Sequence, residues 1–385
     1  MIPYGRQNIN QADIDAVVEV LTSDFLTQGP AVDSFEQALA AKTGAKHAIA
    51  VVNATAALHI ACLALDLGPG DRLWTTPITF VASANCGRYC DATVDFVDID
   101  PETFNMSASA LQQKLQRAEK NGTLPKVIVV VHMCGQSPEM DRIAQLARAY
   151  DIRIIEDASH AVGASYMGSP VGSSTYSDIT VFSFHPVKIV TTGEGGAAVT
   201  NDSHLAARMV RLRSHGITRD ETLMTSESDG PWYYQQLELG FNYRITDIQA
   251  ALGLSQLTRL DGFIARRRAI AIQYDASLEH LPVALPGRLS SAASSWHLYV
   301  VRLQDASRHL DVFKSLRSQG IGVNVHYIPV HLQPYYRQLG FGIGDYPAAE
   351  DYYARAISLP IYPDLDDNSQ KKVVAALESA CLHDR

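Results

Sequence analysis

The chain has 385 residues, too many for one small domain and of the size at which two domains commonly share a cleft. Apolar residues make up 46% and charged residues 19%, with no low-complexity stretch, so a large buried core is expected. Lys and Arg number 32 against 41 Asp and Glu, a formal charge of -9, which argues against nucleic acid or an anionic membrane as the main partner but leaves room for an anionic small substrate in a locally positive pocket.

The opening MIPYGRQNINQADIDAVVEV has neither a basic n-region nor an apolar h-region, and no apolar run approaches the ~20 residues of a membrane span, so a cytoplasmic location is expected. From about residue 47 to 200, short β-branched runs alternate with helical stretches; HAIAVV, VDFVDI, KVIVVVH, IRIIED, DITVFSF and GAAVT read as strands. That alternation predicts an α/β fold with a mostly parallel, mixed sheet and crossover helices, its ligand lying beyond the carboxyl ends of the strands. After about residue 255 come a charged helix (RLDGFIARRRAIAIQYDASLEHL), the loop PGRLSSAASS, the strand WHLYVVRL and further helices, the pattern of a smaller α+β domain. The expected division is 1–255 and 256–385. Cys62, Cys86, Cys90, Cys134 and Cys381 are odd in number and form no CxxC pair, so reduced thiols are expected, without a disulfide framework or a structural metal site.

The residues that can carry chemistry follow those strands. In NATAALH (53–59), the free N–H groups of Thr55 and Ala56, the Thr55 hydroxyl and the helix dipole suit a phosphate. Phe80, in TTPITFVASAN, is placed to stack on a flat ring. Asp157 ends the run IRIIED, where a carboxylate can keep a pyridine nitrogen protonated, and His160 can reach that carboxylate or the ring's 3-hydroxyl. Ser183 and His185 precede Lys188, which follows an apolar strand and precedes a Gly-rich turn, a setting that desolvates an amine and leaves it nucleophilic. Singly, each has an ordinary reading as a helix cap, a core aromatic, a core histidine or a snorkelling lysine. The ordered set does not.

With LTQGP, EDASHAVGA, FSFHPVK, TTGEGG, RSHG, GFNYRITDIQAALGLSQL and VHYIP beside them, these segments resemble the DegT/DnrJ/StrS sugar aminotransferases over essentially the whole chain. The resemblance implies the fold-type I architecture, with a large domain binding pyridoxal 5'-phosphate (PLP) and a small C-terminal domain. It implies Lys188 as the lysine that holds the cofactor and moves the proton, Asp157 as the pyridine partner, Thr55, Ala56 and Ser183 as phosphate ligands and Phe80 as the stacking group. Asn242 would reach the cofactor phosphate of a neighbouring subunit, so a homodimer with shared active sites is implied.

Many members carry Gln where this chain has His160. Among those with His, the resemblance favours enzymes acting on a UDP-linked 4-keto-6-deoxy-N-acetylhexosamine, with L-glutamate as amino donor, over those acting on a UDP-4-keto-pentose, which tend to have Lys and Asn at the positions of Asn242 and Arg244. Substrate contacts then map onto Tyr4, Asp24, Phe25, Leu26, Thr27, Asn242, Arg244, His326 and Tyr327. Arg213, His215, Arg219 and Arg244 are candidates for the glutamate carboxylates or the diphosphate, undivided between the two because a guanidinium matches either anion. Three other classes fit less well. Dehydratases of this type carry His at the Lys188 position, a DNA-binding regulator lacks its basic helix-turn-helix here, and a nicotinamide oxidoreductase lacks GxGxxG.

Overall fold

The computed structural model describes residues 1–382. Its central sheet comprises β1 (His47–Val51), β2 (Arg72–Thr75), β3 (Thr93–Phe96), β4 (Val127–Val131), β5 (Arg153–Asp157), β6 (Ile179–Ser183) and β7 (Gly196–Thr200), in the spatial order β1-β7-β6-β5-β4-β2-β3. Strand β7 runs antiparallel to both neighbours and every other pairing is parallel, so the sheet is mixed and mostly parallel. Strands β4, β6 and β7 are buried along their whole length, as helices on both faces require. Of these strands only β2 was not expected: RLWT is four residues long and opens on a charge, too short for periodicity to register.

Helices α1 (Gln11–Leu21), α2 (Pro30–Thr43), α3 (Ala54–Ala64), α4 (Ala82–Tyr89), α5 (Ala108–Asn121), α6 (Met140–Arg148) and α7 (Ser203–Arg213) alternate with or precede these strands. Local chemistry fixes their ends. Asn53 is extended and its side chain accepts from Ala56 N–H at 2.8 Å, opening α3 one residue earlier than Thr55. Thr246 and Gln249 form a capping box at the start of α8 (Asp247–Thr258), and Gly44, at φ 75°, ends α2. Buried Asp13 accepts from Ser255 Oγ at 2.6 Å and Gln256 Nε2 at 2.7 Å and pairs with Arg259, which fastens α1 to α8.

After the long helix α9 (Leu260–Leu278), an antiparallel sheet forms from β8 (Val283–Ala284), β9 (Tyr299–Leu303) and β10 (Ala356–Leu359), in the order β8-β9-β10. One face of it packs Tyr299, Val301 and Leu359 against Tyr274 and Leu377. The other sends Leu298, Val300 and Ala356 into the same apolar cluster as Ile60, Leu73 and Phe96, so this sheet leans directly on the flank of the central one. The five cysteines are buried free thiols. No described helix is long and apolar enough to cross a membrane.

Candidate active site

A cavity of about 550 Å³ opens at the carboxyl ends of β4, β5 and β6, beside the start of α3. Val131, Asp157 and Ser183, the last residues of the three strands, all line it. Among the described lining residues, Lys188 is the only Lys or Arg.

Asp157 is buried at the edge of this cavity, flanked in register by Val131 on β4 and Val181 on β6. Its Oδ2 accepts from Ser83 Oγ at 2.6 Å, and its Oδ1 from Ser159 Oγ at 2.6 Å and Ser159 N–H at 3.2 Å. Three donors on one carboxylate fix its plane. Beneath it, Glu156 faces the other side of β5, beside His132 Nε2 at 2.7 Å and accepting from Ser177 Oγ at 2.5 Å.

Beyond Ser183 the chain makes a closed loop, with Phe184 N–H bonded to Gly195 O and Thr192 N–H to Phe184 O, both at 2.9 Å. Lys188 projects from this loop into the cavity. Burial lowers its amine from the usual 10.5 to about 8, against the opposing pull of Asp157. A sizeable neutral fraction near physiological pH makes it a nucleophile and a base.

Thr55 lines the cavity at the start of α3 beside Asn53 and Ala54. Ala56 does not, and its N–H is engaged by Asn53. Gly196 brings β7 against this turn so closely that a Cβ there would overlap Ala54 N and Asn53 C. His185 lines the opposite wall. Phe80 is no core aromatic: it is 58% exposed, on the cavity wall, its ring 6.2 Å from that of Tyr327.

The floor is a histidine cluster. His160 Nε2 and the Tyr327 hydroxyl lie 3.2 Å apart, and His160 Nδ1 has no partner. Burial first, then Lys188 and His326, keep His160 neutral, well below the usual histidine range. His326 Nδ1 meets Ser358 Oγ at 2.7 Å, and burial with Lys188 drives its pKa down to about 3. Tyr4 packs on His326 at 5.2 Å and completes this side.

The remaining candidates lie elsewhere on the chain. Asn242 and Arg244 pair with Ser214 and Val51, and Thr27 pairs with Thr246, so these segments lie side by side. Arg244 lines a separate hollow with Gln28, Asp33 and Arg213. Asp24, Phe25, Leu26, Thr27 and Asn242 are exposed. Arg213 is committed to Glu36 and, at 2.8 Å, to Ala50 O, so it is occupied in place; His215 and Arg219 are exposed and line neither cavity.

Sequence reading missed Ser83, Ser159, Glu194 and His297, all of which line the cavity or bond Asp157. Ser83 and Ser159 stand in motif segments, one helical turn past Phe80 and two residues past Asp157. His297 carried no local signal beyond a polar residue opening an apolar strand.

Together, an amine of lowered pKa, a buried carboxylate held by three donors, a helix N-terminus and an exposed aromatic fit PLP: each group the cofactor presents, aldehyde, pyridine nitrogen, phosphate and ring face, has a partner of the right chemistry. The comparisons agree. The profile of the DegT/DnrJ/EryC1/StrS aminotransferase family matches residues 7–378. The spore coat polysaccharide biosynthesis protein SpsC of Bacillus subtilis is 39% identical over 98% of this chain and 96% of its own length. The UDP-4-amino-4,6-dideoxy-N-acetyl-beta-L-altrosamine transaminase of Campylobacter jejuni is also 39% identical, over 98% and 97%. Among solved structures, Helicobacter pylori PseC, an aminotransferase involved in the biosynthesis of pseudoaminic acid, superposes with a TM-score of 0.91 at 32% identity over 99% of both chains. Spr1654 of Streptococcus pneumoniae, solved in a PLP form, gives 0.89 at 29% identity over 99% and 98%. With fold, cofactor chemistry and sequence in accord along its length, the chain belongs to the DegT/DnrJ/EryC1/StrS family and is a PLP-dependent sugar aminotransferase.

Proposed function

We propose that this enzyme transfers the amino group of L-glutamate to carbon 4 of UDP-2-acetamido-2,6-dideoxy-beta-L-arabino-hexos-4-ulose, giving UDP-4-amino-4,6-dideoxy-N-acetyl-beta-L-altrosamine and 2-oxoglutarate. The observation that carries it is the single cavity holding Lys188, its amine lowered to about 8, with Asp157 fixed by three donors. The identity with the Campylobacter jejuni altrosamine transaminase supports the choice of sugar.

PLP, when bound, supplies the carbonyl that accepts the amine and the ring that delocalises electrons. With PLP bound, Lys188 would be the residue that holds it, and once freed by glutamate its amine would serve as the base and acid that moves a proton at the donor's α-carbon and, in the second half, at carbon 4 of the sugar. Asp157 would hold the ring nitrogen protonated, and Ser83 and Ser159 hold Asp157. Thr55, Ser183 and His185, with Ala56 if its N–H exchanged its bond to Asn53, would hold the phosphate; Phe80 would stack on the ring and His160 would serve the 3-hydroxyl. Tyr4, His326 and Tyr327 meet the sugar.

In this reading residues 1–255 form the cofactor domain, 256–385 the small one, and the enzyme is a cytoplasmic homodimer. The glutamate carboxylates and the UDP diphosphate need cations, and Lys188, already committed, is the sole one at the described cavity wall. The face bearing Asp24, Phe25, Leu26, Thr27, Asn242 and Arg244 supplies polar and cationic groups when a second copy turns it toward this cavity.

The test is absorbance of the protein reconstituted with PLP, then given L-glutamate, beside Lys188→Ala. A visible band that glutamate bleaches only in the unmodified protein is expected, restored by the 4-keto-hexosamine substrate in preference to a UDP-4-keto-pentose. Equal behaviour of the two proteins would sink the assignment of Lys188, and preference for the pentose would sink the choice of sugar.

A further inference from the structure

His297 stands two residues before β9, at the end of the segment Ser294–His297, and lines the cavity. Its ring lies 4.4 Å from that of His160, inclined at 47°. The segment is clamped to the backbone of His160 itself. Ser295 Oγ donates to His160 O at 2.8 Å, and Ser295 N–H to Gly135 O at 3.0 Å. From the other side, buried Arg267 of α9 donates to Trp296 O at 3.2 Å, His297 O at 3.3 Å and Ile361 O at 2.9 Å. Gly135, at φ 97°, has Ser295 Oγ, His160 O and Trp296 N all within 3.0 Å of where a Cβ would stand, so only glycine admits this crossing.

Such a clamp fixes one imidazole against another with little freedom, and Nδ1 of both rings is buried without a partner. We propose that His297 is a positioning residue for His160: its ring fills the space beside His160, excludes water, and so holds the His160 ring with Nε2 on the Tyr327 hydroxyl. This rests on the reading above, in which His160 approaches the cofactor ring. Water beside an imidazole removes the desolvation that opposes its protonation. The groups facing the pair are Lys188 from the loop after β6, Asp157 at the end of β5, His326 and Tyr327 from the segment before β10, and Arg267 from α9. The cations among them oppose a further positive charge, and burial opposes it most. A protonated His160 would add a second positive charge beside Lys188 and could only donate at Nε2 toward the Tyr327 hydroxyl. The residue thus ties the small sheet to the electrostatics of the cofactor pocket.

The experiment is a pH titration of the visible band of the PLP-loaded enzyme, together with the rate of cofactor release, in the unmodified protein, His297→Ala and His297→Phe. His297→Ala is expected to move the titration midpoint by roughly half a pH unit and to speed cofactor release about fivefold. His297→Phe, which refills the space, is expected to return both toward the original values. In a His160→Gln background, His297→Ala should leave the midpoint where that background puts it. If the alanine chain does not fold, His297→Val serves, with a smaller shift in the same direction. An unmoved midpoint and release rate in the alanine or valine variant, or a phenylalanine variant as impaired as alanine, would overturn the proposal. Absence of any band in the unmodified protein would instead strike at the assignment of Lys188.

Discussion

Ser83, on the first turn of α4, donates its hydroxyl to Oδ2 of Asp157 at 2.6 Å across the cavity floor. The same short helix begins two residues after Phe80, so one element sets both the position of Phe80 and the carboxylate's orientation. A hydrogen bond to a charged group contributes roughly 1.5–3 kcal/mol. Ser83→Ala is therefore expected to weaken PLP binding by about tenfold or more. Equilibrium binding followed by the visible band measures it, and unchanged affinity would show that Ser159 alone suffices.

Replacing Asp157 itself goes further. Asp157→Asn keeps the shape and the ability to accept one bond, but removes the charge that holds a pyridine nitrogen protonated. The rate should fall on the order of 10²-fold or more, with glutamate KM changed far less. A single-turnover measurement of band bleaching by glutamate separates the two.

The lowered pKa of Lys188 has a consequence for stability. Its folded value, about 8, lies below its unfolded value, so between about pH 8 and 10.5 the unfolded chain binds more protons and the cofactor-free protein gains stability as pH rises. The slope from this group is at most about 1.4 kcal/mol per pH unit. Urea unfolding at pH 8 and pH 10 of the cofactor-free protein and of Lys188→Met should show the gain in the former and lose that part of it in the latter; parallel curves would mean that the amine is not desolvated.

Gly196 tests the close approach of β7 to the start of α3. A Cβ there has no room beside Asn53 and Ala54, and overpacking of this kind costs about 1–3 kcal/mol. Gly196→Ala should lower the unfolding midpoint in urea and weaken binding of inorganic phosphate at the helix terminus, whereas Gly193→Ala, with nothing within 4 Å, tests backbone strain alone.

The shared active sites proposed above would have a quantitative consequence. Lys188→Ala and Asn242→Asp chains, each inactive alone, when refolded together would form mixed dimers having one site with both native residues. About a quarter of full activity is then expected. No recovery, with mixed dimers demonstrated by mass, would assign Asn242 to its own subunit's cavity or to none.

What was legible in the sequence was whatever short-range chemistry writes down. Asn53 before a helix, an Asp closing an apolar strand, a lysine between a buried strand and TTGEGG, and strands rich in Val and Ile all act over a few residues, and each landed at the cavity or in the sheet. Strand β2, at four residues, and the α3 start at Ala54 lay at the edge of what periodicity resolves. The tertiary structure alone decided which distant side chains meet. Ser83 reaches Asp157 over 74 positions and Ser295 reaches the His160 carbonyl over 135, and neither pairing leaves a trace in local composition. It also decided that Arg213 is spent on Glu36 and that Asn242 and Arg244 do not line the cavity that holds Lys188 within one chain. Local propensity specifies elements and their ends; burial and the pairing of polar groups across the fold specify a site, and those energies exist only once the chain has closed on itself.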